Sequence, residues 1–387
     1  MQHRRLGKTD LEVSVVGFGG GSLSSLPRKR AVEVLNCALD RGVNFFDTAR
    51  MYGDSEDKLG EILAERREEC IVATKTKKVT AKGVMKDLGT SLKRLRTDRV
   101  DLIQLHGLLL SDEKNYRRIF GHNGALAALS RAKRSGLVDH IGIALHWSLD
   151  LMMEAVESGE FETIMVSYNA IDQEGVGQKI LPLARQHDVG VIAMKPLAEG
   201  DLTTPGSAGG KVAGFEGIPG RRVVRGDILL QRGLQFILSN PAVATVVPGM
   251  TSVEEVEEDT HIGDLPLTLT EGERRELFHT LGGLGRRFNP DGQICLHCGF
   301  CLPCPESVDI VGAYRAAEMR HSPLPESVRR RAMNFYRSLK RRPRFCTACR
   351  ECVSKCPARL PIPDQLAAIA RAFEENRVFQ FEEREPH

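Results

Sequence analysis

The 387-residue sequence lacks several features that mark particular classes of protein. No stretch approaches the roughly 18 consecutive apolar residues of a membrane-spanning helix. With 54 basic and 51 acidic residues, the formal net charge is +3, which is too balanced for charge alone to indicate a nucleic-acid partner. The first ten residues contain no apolar segment of the kind that directs secretion. We therefore expect a cytoplasmic protein with neither a membrane span nor a nucleic-acid partner.

Cysteine is scarce over most of the chain, because eight of the ten cysteines lie between Cys295 and Cys356. The other two, Cys37 and Cys70, lie in predicted helix and strand segments and are interpreted as core residues. In a chain without a secretion signal, clustered cysteines are typical of metal ligation rather than of disulfide bonds. The length exceeds the roughly 100–200 residues of one domain, so we expect a second, cysteine-rich domain.

Residues 1–285 alternate short β-branched runs with longer amphipathic segments. The runs are too short and too apolar for half-exposed strands, which favours a buried parallel sheet. The predicted strands are Val13–Val16, Phe45–Phe46, Cys70–Ala73, Asp101–Leu105, His140–Ile143, Thr163–Val166, Gly190–Ala193 and Ala244–Val247. The predicted helices between them are Arg30–Asp40, Lys58–Glu65, Val84–Leu95, Ala125–Arg134, Leu149–Glu157, Gln178–Gln186, Asp227–Leu238 and Val253–Glu258.

Eight strands that alternate with eight helices over about 250 residues are typical of a (β/α)8 barrel. The alternative is a doubly wound open sheet, but the nearest match to its Gly-x-Gly-x-x-Gly motif, at Gly17–Gly21, precedes no helix of the right register. Two long segments, Leu108–Asn123 and Glu199–Gly226, follow predicted strand ends on the side where barrel active sites lie. We interpret them as loops that shape the substrate pocket.

A glycine-rich segment, Gly282–Gly285, follows one more predicted helix at Glu271–Leu281. The composition then shifts towards cysteine, proline and arginine. We therefore predict two domains: an α/β barrel in residues 1–285 and a small, mainly helical domain in residues 286–387.

Four polar side chains lie at or just beyond the ends of three successive predicted strands. They are Asp47, Tyr52, Lys75 and His106. The carboxyl ends of barrel strands meet at one mouth, so we expect the four groups to lie together. A lysine cation favours a tyrosine phenolate, an aspartate holds the lysine in place, and a histidine orients a substrate oxygen or relays a proton. This set suits the protonation of a carbonyl oxygen as hydride reaches the carbon.

The same region resembles the aldo-keto reductase superfamily. The motifs that carry the resemblance are Arg5–Thr9, Val13-Ser14, Phe46–Ala49, Tyr52-Gly53, Ser55-Glu56, Thr74-Lys75, Leu105-His106, Tyr168-Asn169, Asn240-Pro241 and Val247–Gly249. The resemblance implies an oxidoreductase whose nicotinamide cofactor lies at the barrel mouth and whose substrate is a small carbonyl compound or alcohol. It also implies that Tyr52 is the proton donor of a catalytic tetrad completed by Asp47, Lys75 and His106.

The resemblance places the cofactor contacts at Asn169, Lys195, Gly249, Met250, Thr251, Ser252 and Glu258. Several positions that hold the nicotinamide carboxamide in the family are apolar in this chain. They are Ala144, Leu145, Met165 and Met194. The tetrad therefore matches the family pattern more closely than the cofactor contacts do.

The choice between NAD and NADP depends on the helix after Gly249. In NADP-preferring relatives a basic residue on this helix pairs with the 2′-phosphate, whereas this chain has an acidic run at Glu254–Asp259. Carboxylates repel a phosphate and accept a ribose hydroxyl, so we expect no strong NADP preference. An acidic run is equally typical of a solvated helix face, so the preference stays open.

The clustered cysteines form two related motifs. The first is Cys295-x2-Cys298-x2-Cys301-x2-Cys304-Pro, and the second is Cys346-x2-Cys349-x2-Cys352-x3-Cys356-Pro. The second motif has the spacing of bacterial ferredoxins, in which the fourth cysteine ligates the other 4Fe–4S cluster. We therefore predict two clusters, one held by the first three cysteines of the first motif with Cys356, the other by the first three of the second motif with Cys304. Zinc is the alternative metal.

The segment between the two motifs is predicted to be helical at Val311–Met319 and Glu326–Leu339, and it is strongly basic. A subset of aldo-keto reductases has a C-terminal extension of this ferredoxin type, and the chain resembles that subset along its full length. The basic residues are interpreted either as a solvated face that offsets the charge of the clusters or as a docking surface for an acidic redox partner, such as a ferredoxin or flavodoxin.

Three functions agree with these patterns. The first is a nicotinamide-dependent carbonyl reductase whose clusters are structural. The second is a reductase that receives electrons through its clusters and does not use nicotinamide. The third is a barrel that binds without turnover, which the complete tetrad disfavours. We expect the first.

Overall fold

The fold was analysed in a computed structural model. It describes residues 1–107, 113–146, 149–170, 175–197, 228–274, 277, 295, 301–321, 326–356 and 360–374. The chain divides into two compact units: residues 1–170 with 175–274, and residues 275–387 with 171–174. The predicted boundary at Gly282–Gly285 and the predicted loop Glu199–Gly226 lie outside the described residues, so both stay predictions.

The first unit contains ten described strands. They are β1 (His3–Arg5), β2 (Glu12–Ser14), β3 (Phe18–Gly19), β4 (Phe45–Asp47), β5 (Ile71–Thr76), β6 (Val100–His106), β7 (Val138–Leu145), β8 (Thr163–Ser167), β9 (Gly190–Met194) and β10 (Val243–Val247). Strands β3 to β10 form one parallel sheet in chain order. Val246 bridges Val16 and also accepts a 2.8 Å hydrogen bond from the Gly17 amide, which joins the last strand to the first. These contacts confirm the predicted eight-stranded barrel.

The prediction for the first strand was wrong. Val13 and Ser14 belong to β2, which pairs antiparallel with β1 in a two-stranded sheet outside the barrel. The first barrel strand is the dipeptide Phe18–Gly19, too short to produce an alternating pattern. The β1–β2 sheet closes the amino end of the barrel, because Leu6 and Val13 pack into the barrel's apolar interior. The opposite end of the barrel remains available for a site.

The described helices of the first unit agree with the predicted ones except in two places. They are α1 (Arg28–Asp40), α2 (Ser55–Arg66), α3 (Ala81–Leu95), α4 (Glu113–Ile119), α5 (Ala125–Arg134), α6 (Leu149–Glu157), α7 (Leu181–Gln186), α8 (Ile228–Leu238) and α9 (Val253–His261). Helix α4 lies inside the segment 108–123 that was predicted as a loop. A π-helical turn at Val176–Ile180 precedes α7 where one continuous helix was predicted.

The second unit is mainly helical in its described part. Its helices are α10 (Ile310–His321), α11 (Glu326–Ser338), α12 (Glu351–Lys355) and α13 (Ile362–Glu374). The rings of Tyr336 and Phe373 stack at a centroid distance of 4.3 Å, which joins α11 to α13. The ferredoxin-like character of this unit stays a prediction. No described helix of the chain is long and apolar enough to cross a membrane.

Packing of α2 against α3 depends on Gly60. A Cβ atom at this position would lie 2.2 Å from the carbonyl oxygen of Arg94, whereas a Cβ atom at Gly89, on the outer side of α3, would meet nothing within 4 Å. We predict that Gly60→Ala lowers the free energy of unfolding by about 2 kcal/mol through overpacking. The control Gly89→Ala should raise it by about 0.5–1 kcal/mol, because alanine favours a helix interior. Denaturant titrations followed by circular dichroism measure both changes, and equal effects would contradict the packing argument.

Candidate active site

The structure brings the four predicted tetrad residues together at the carboxyl end of the barrel. Asp47 ends β4, Lys75 lies near the end of β5 and His106 ends β6, and these strands are neighbours in the sheet. The Lys75 Nζ atom lies 2.5 Å from Asp47 Oδ2 and 5.0 Å from the centroid of the Tyr52 ring. The rings of Tyr52 and His106 meet edge to face at 5.8 Å.

Asp47 and Lys75 form a buried ion pair, with only 4% and 1% of their surfaces exposed. Lys75 Nζ also donates a 2.9 Å hydrogen bond to the carbonyl oxygen of Thr48. Burial lowers the pKa of Lys75, but the opposing effects of Asp47 and Tyr52 are together stronger and raise it above the ordinary value. Burial raises the pKa of Asp47 against the opposing effect of the lysine. Lys75 therefore carries a fixed positive charge at the barrel mouth.

Gln104 is a site residue that the sequence analysis missed. Its Nε2 atom donates a 3.2 Å hydrogen bond to Asp47 Oδ1, the carboxylate oxygen that does not face Lys75 Nζ. Gln104 lies two positions before His106 on β6 and pairs with Lys75 across the sheet. Because side chains alternate along a strand, a polar residue two positions before a site histidine shares its face. This two-residue spacing could have identified Gln104 from the sequence.

The Tyr52 loop, between β4 and α2, is fixed by buried hydroxyl groups. Ser55 Oγ donates to the carbonyl oxygen of Gly20 at 2.7 Å and lies 2.8 Å from Thr48 Oγ1. The Ser55 amide donates to the carbonyl oxygen of Tyr52. A Cβ atom at Gly20 would approach the Asp47 carbonyl oxygen to 2.7 Å, so only glycine allows this close contact.

The pKa of Tyr52 differs from the sequence-based expectation. Lys75 lowers this pKa as expected, but burial of the phenol has the larger effect and raises it above its ordinary value. The phenol is therefore protonated at neutral pH. Lys75 favours the phenolate once a proton has left, but it does not produce one in the resting site.

Two neutral histidines complete the described part of the mouth. Burial and the charge of Lys75 lower the pKa of His106 to about 2, and its Nδ1 atom has no hydrogen-bond partner among the described residues. His146, which follows β7, stacks on His106 at 6.1 Å. Burial and the charge of Lys195 lower the pKa of His146 to about 3. Both rings are uncharged in the functional pH range.

The residues that the resemblance assigns to the cofactor form two local groups. Asn169 Nδ2 donates to the Lys195 carbonyl oxygen at 3.4 Å, and Lys195 has a left-handed backbone with φ of 54°. Ser22 Oγ donates to the carbonyl oxygen of Met250 at 3.2 Å, which holds the segment after β10 beside the first barrel strand. Gly249 lies next to Ser22 in that contact. Nucleotide binding by these residues stays a prediction.

The amino end of α9 carries a carboxylate that the sequence analysis did not single out. Glu255 is 3% exposed, and its Oε2 atom accepts hydrogen bonds from the Thr251 amide at 2.7 Å and from Thr251 Oγ1 at 2.9 Å. Ser252 caps the helix by accepting from the Glu255 amide at 3.2 Å. Glu258 is buried on the same helix. The signal for Glu255 was the spacing Ser-x-x-Glu, which is typical of a capping box.

Known proteins share this barrel. A profile of the aldo/keto reductase family matches residues 15–217. L-Galactose dehydrogenase from Arabidopsis thaliana is 31% identical over 280 residues, which are 66% of this chain and 86% of the relative. The chain belongs to the aldo/keto reductase family. It is therefore an NAD(P)H-dependent oxidoreductase.

Solved structures of aldo-keto reductases superimpose on most of the chain. The holo form of AKR11C1 from Bacillus halodurans is 27% identical, has a TM-score of 0.60, and is matched over 73% of this chain and 96% of its own. The enzyme from Klebsiella pneumoniae in complex with NADP and acetate is 21% identical, with a TM-score of 0.56 and coverage of 72% and 95%. The second likeness shows the fold alone.

Three of the four apolar positions that the sequence analysis set against the family pattern lie inside the barrel. Ala144, Met165 and Met194 belong to one buried apolar cluster, together with Phe45 and Leu102. The cluster fills the barrel interior below its mouth. These side chains therefore have a packing role in the structure.

The family match ends well before the cysteine motifs, which the structure places in the second unit. Four of the predicted ligands, one from the first motif and three from the second, line one small cavity. They are Cys304, Cys346, Cys349 and Cys352. Burial and the thiols of Cys346, Cys349 and Cys304 raise the pKa of Cys352. The contribution of Cys304 to this cavity agrees with the predicted exchange of the fourth cysteine.

The other described ligands, Cys295, Cys301 and Cys356, lie around Tyr314. Burial raises the pKa of this tyrosine, and the thiols of Cys295, Cys356 and Cys301 raise it further. Cys298 lies outside the described residues. Among the described side chains, no three histidine, cysteine or acidic groups converge as they would around one metal ion.

The stability of the mouth depends on the Asp47–Lys75 ion pair. We predict that Asp47→Asn and Lys75→Met each lower the free energy of unfolding by about 3–5 kcal/mol, because each leaves one buried charge unpaired. The double variant should lose clearly less than the sum of the two. Urea titrations of the four proteins measure the coupling.

The exposed ion pair between Arg5 and Asp188 serves as the control in a second double-mutant cycle, with the variants Arg5→Met and Asp188→Asn. Its side chains are about half exposed, so we expect no measurable coupling. Additive losses at Asp47 and Lys75 would contradict the buried-pair argument.

Proposed function

We propose that the barrel reduces a small carbonyl compound, or oxidises the corresponding alcohol, with Tyr52 as the proton donor. The observation that supports this proposal is the convergence of Tyr52, Lys75, Asp47 and His106 at the barrel mouth. The bound nicotinamide cofactor would supply the hydride. A cytoplasmic location stays a prediction.

The proposed reaction needs a proton at the substrate oxygen as the carbonyl carbon becomes tetrahedral. Tyr52 donates this proton from its hydroxyl group, and Lys75 stabilises the phenolate that results. Asp47 keeps the lysine in position. Neutral His106 donates a hydrogen bond to the carbonyl oxygen, or accepts one from the hydroxyl group of the alcohol, and its Nδ1 atom has no hydrogen-bond partner among the described residues.

Removal of the Tyr52 hydroxyl tests this assignment. We predict that Tyr52→Phe lowers kcat for carbonyl-dependent NAD(P)H oxidation by about 10²–10⁴-fold, because the general acid is lost. Nucleotide binding, followed by NAD(P)H fluorescence, should stay within twofold. The control is Tyr116→Phe, since the buried Tyr116 hydroxyl has no described hydrogen-bond partner. Equal activity of the Tyr52 variant and wild type would contradict the proposed role.

We further propose that this enzyme has no preference for NADP over NAD. The family resemblance places the adenosine ribose near Gly249, Met250, Thr251, Ser252 and Glu258. The Glu255 carboxylate already accepts the hydrogen bonds that the Thr251 amide and hydroxyl would offer to a phosphate. A 2′-phosphate near this buried carboxylate would meet like charge.

Substitution of Glu255 tests the nucleotide preference. We predict that wild type binds NADH at least as tightly as NADPH, and that Glu255→Gln shifts the ratio of dissociation constants about five- to tenfold towards NADPH. The control is Glu257→Gln on the exposed face of α9, which should change the ratio less than twofold. Fluorescence titrations measure all six dissociation constants. Tighter binding of NADPH by wild type would contradict the proposal.

The second unit is proposed to hold two 4Fe–4S clusters. Cys304, Cys346, Cys349 and Cys352 would hold one, which agrees with the cavity that they line. The other would be held by Cys295, Cys298, Cys301 and Cys356. Each sulfur of a cluster binds a different iron, so the four thiols stand farther apart than around a single zinc ion. The support for a cluster over zinc is the ferredoxin-type spacing of the motifs together with the cavity that Cys304 shares with cysteines of the second motif.

Metal analysis tests this proposal. We predict about eight irons and eight acid-labile sulfides per chain after anaerobic purification, and about half of each in Cys349→Ser. Cys37→Ser is the control, because Cys37 lies on α1 in the first unit. About four irons in wild type would exclude the pair of clusters, and zinc without iron would exclude both.

A further inference from the structure

An exposed aromatic side chain lies directly before the second cysteine motif. Phe345 is 42% exposed, one of the most exposed large apolar residues in the described part of the chain. The guanidinium groups of Arg341 and Arg344 each lie 4.8 Å from the centroid of its ring. These two cation–π contacts hold the ring at the surface.

The segment around Phe345 carries a large excess of positive charge. Residues 340–350 contain five cationic side chains and no acidic one; the five are Lys340, Arg341, Arg342, Arg344 and Arg350. Two carboxylates from elsewhere in the unit pair with it: Glu306 lies 3.4 Å from Arg341, and Glu374 lies 3.8 Å from both Arg342 and Arg344. The four arginines of the segment therefore outnumber the two carboxylates that pair with them in the described part of the chain, which leaves the segment basic.

Most of these cationic side chains do not line the cysteine cavity. Of the basic residues in the segment, only Arg350 lines the cavity that contains Cys304 and three cysteines of the second motif. Arg341 and Arg344 lie against Phe345 instead. A role limited to offsetting cluster charge explains Arg350 but does not explain why Arg341 and Arg344 lie against an exposed ring.

The same surface reaches the cysteine cavity. Cys349 is exposed, as are Thr347 and Ala348 beside it, and Cys346 directly follows Phe345. A metal centre bound by these cysteines would therefore lie close to the basic surface. Electron transfer between proteins uses small interfaces of this kind, in which arginine and aromatic residues are enriched and charge steers the encounter.

We propose that residues 341–350 form the docking surface for an acidic one-electron carrier protein of the ferredoxin type. The inference rests on the cluster proposed above for Cys304, Cys346, Cys349 and Cys352. In the exchange the reduced carrier loses one electron and the oxidised cluster gains it. No covalent bond forms or breaks and no proton moves.

Binding of an acidic plant-type ferredoxin tests the surface. Isothermal titration calorimetry with the full-length, iron-loaded chain should show a dissociation constant that rises steeply between 50 and 300 mM salt. The double variant Arg341→Gln/Arg344→Gln should weaken binding at least tenfold at 50 mM salt. Phe345→Ala should weaken it at least fivefold without a change of charge.

The control removes the same charge from another surface. Lys86→Gln/Lys93→Gln changes two exposed lysines of α3 in the first unit, and we expect a dissociation constant within twofold of wild type. Iron content is measured on every preparation. A wild-type chain without iron overturns the cluster proposal, whereas an iron-loaded double variant that binds as tightly as wild type overturns the docking surface alone. Tighter binding of a DNA duplex or of phosphatidylserine vesicles than of ferredoxin also overturns it.

Discussion

The barrel mouth depends on the ion pair between Asp47 and Lys75. Both groups are buried, so each is tolerated only because the other is present. The pair joins β4 to β5, and Gln104 extends the contact to β6 through the second carboxylate oxygen. Three neighbouring strands are thus fixed at their carboxyl ends by one charged group. Tyr52 and His106 take their positions around a lysine that has no freedom to move away.

This arrangement changes the expected role of the lysine. A resting Tyr52 with a lowered pKa would lose its proton before a substrate arrived. Burial instead raises the pKa of the phenol, while Lys75 remains 5.0 Å from the ring centroid. In the proposed reaction the lysine contributes most at the stage when the phenolate forms. An interaction that strengthens as charge develops lowers the barrier, whereas one that is equally strong in the resting site does not.

Sequence patterns predicted the four tetrad residues but not the hydrogen bonds that link the site to its neighbours. The tetrad could be predicted because Asp47, Lys75 and His106 lie at or near the ends of apolar strands, which meet at one end of a barrel. The first barrel strand, Phe18–Gly19, was missed because it has a single apolar side chain between glycines and so forms no apolar run. Gln104 was missed because its partner Asp47 is distant in sequence. Glu255 resembled any acidic residue of a solvated helix until its contacts with Thr251 were known.

A different constraint governs the cysteine-rich unit. Ile310, Pro363 and Leu366 form the apolar part of the cavity wall around Cys304 and the cysteines of the second motif. Burial in this cavity raises the pKa of Cys352. Metal ligation requires thiolates, which such walls disfavour. The proposed cluster would reduce this conflict, because each thiolate would bind an iron and the remaining negative charge would be spread over the whole centre. Arg350, which lines the cavity, would offset that charge, whereas Arg341 and Arg344 lie against Phe345 at the surface.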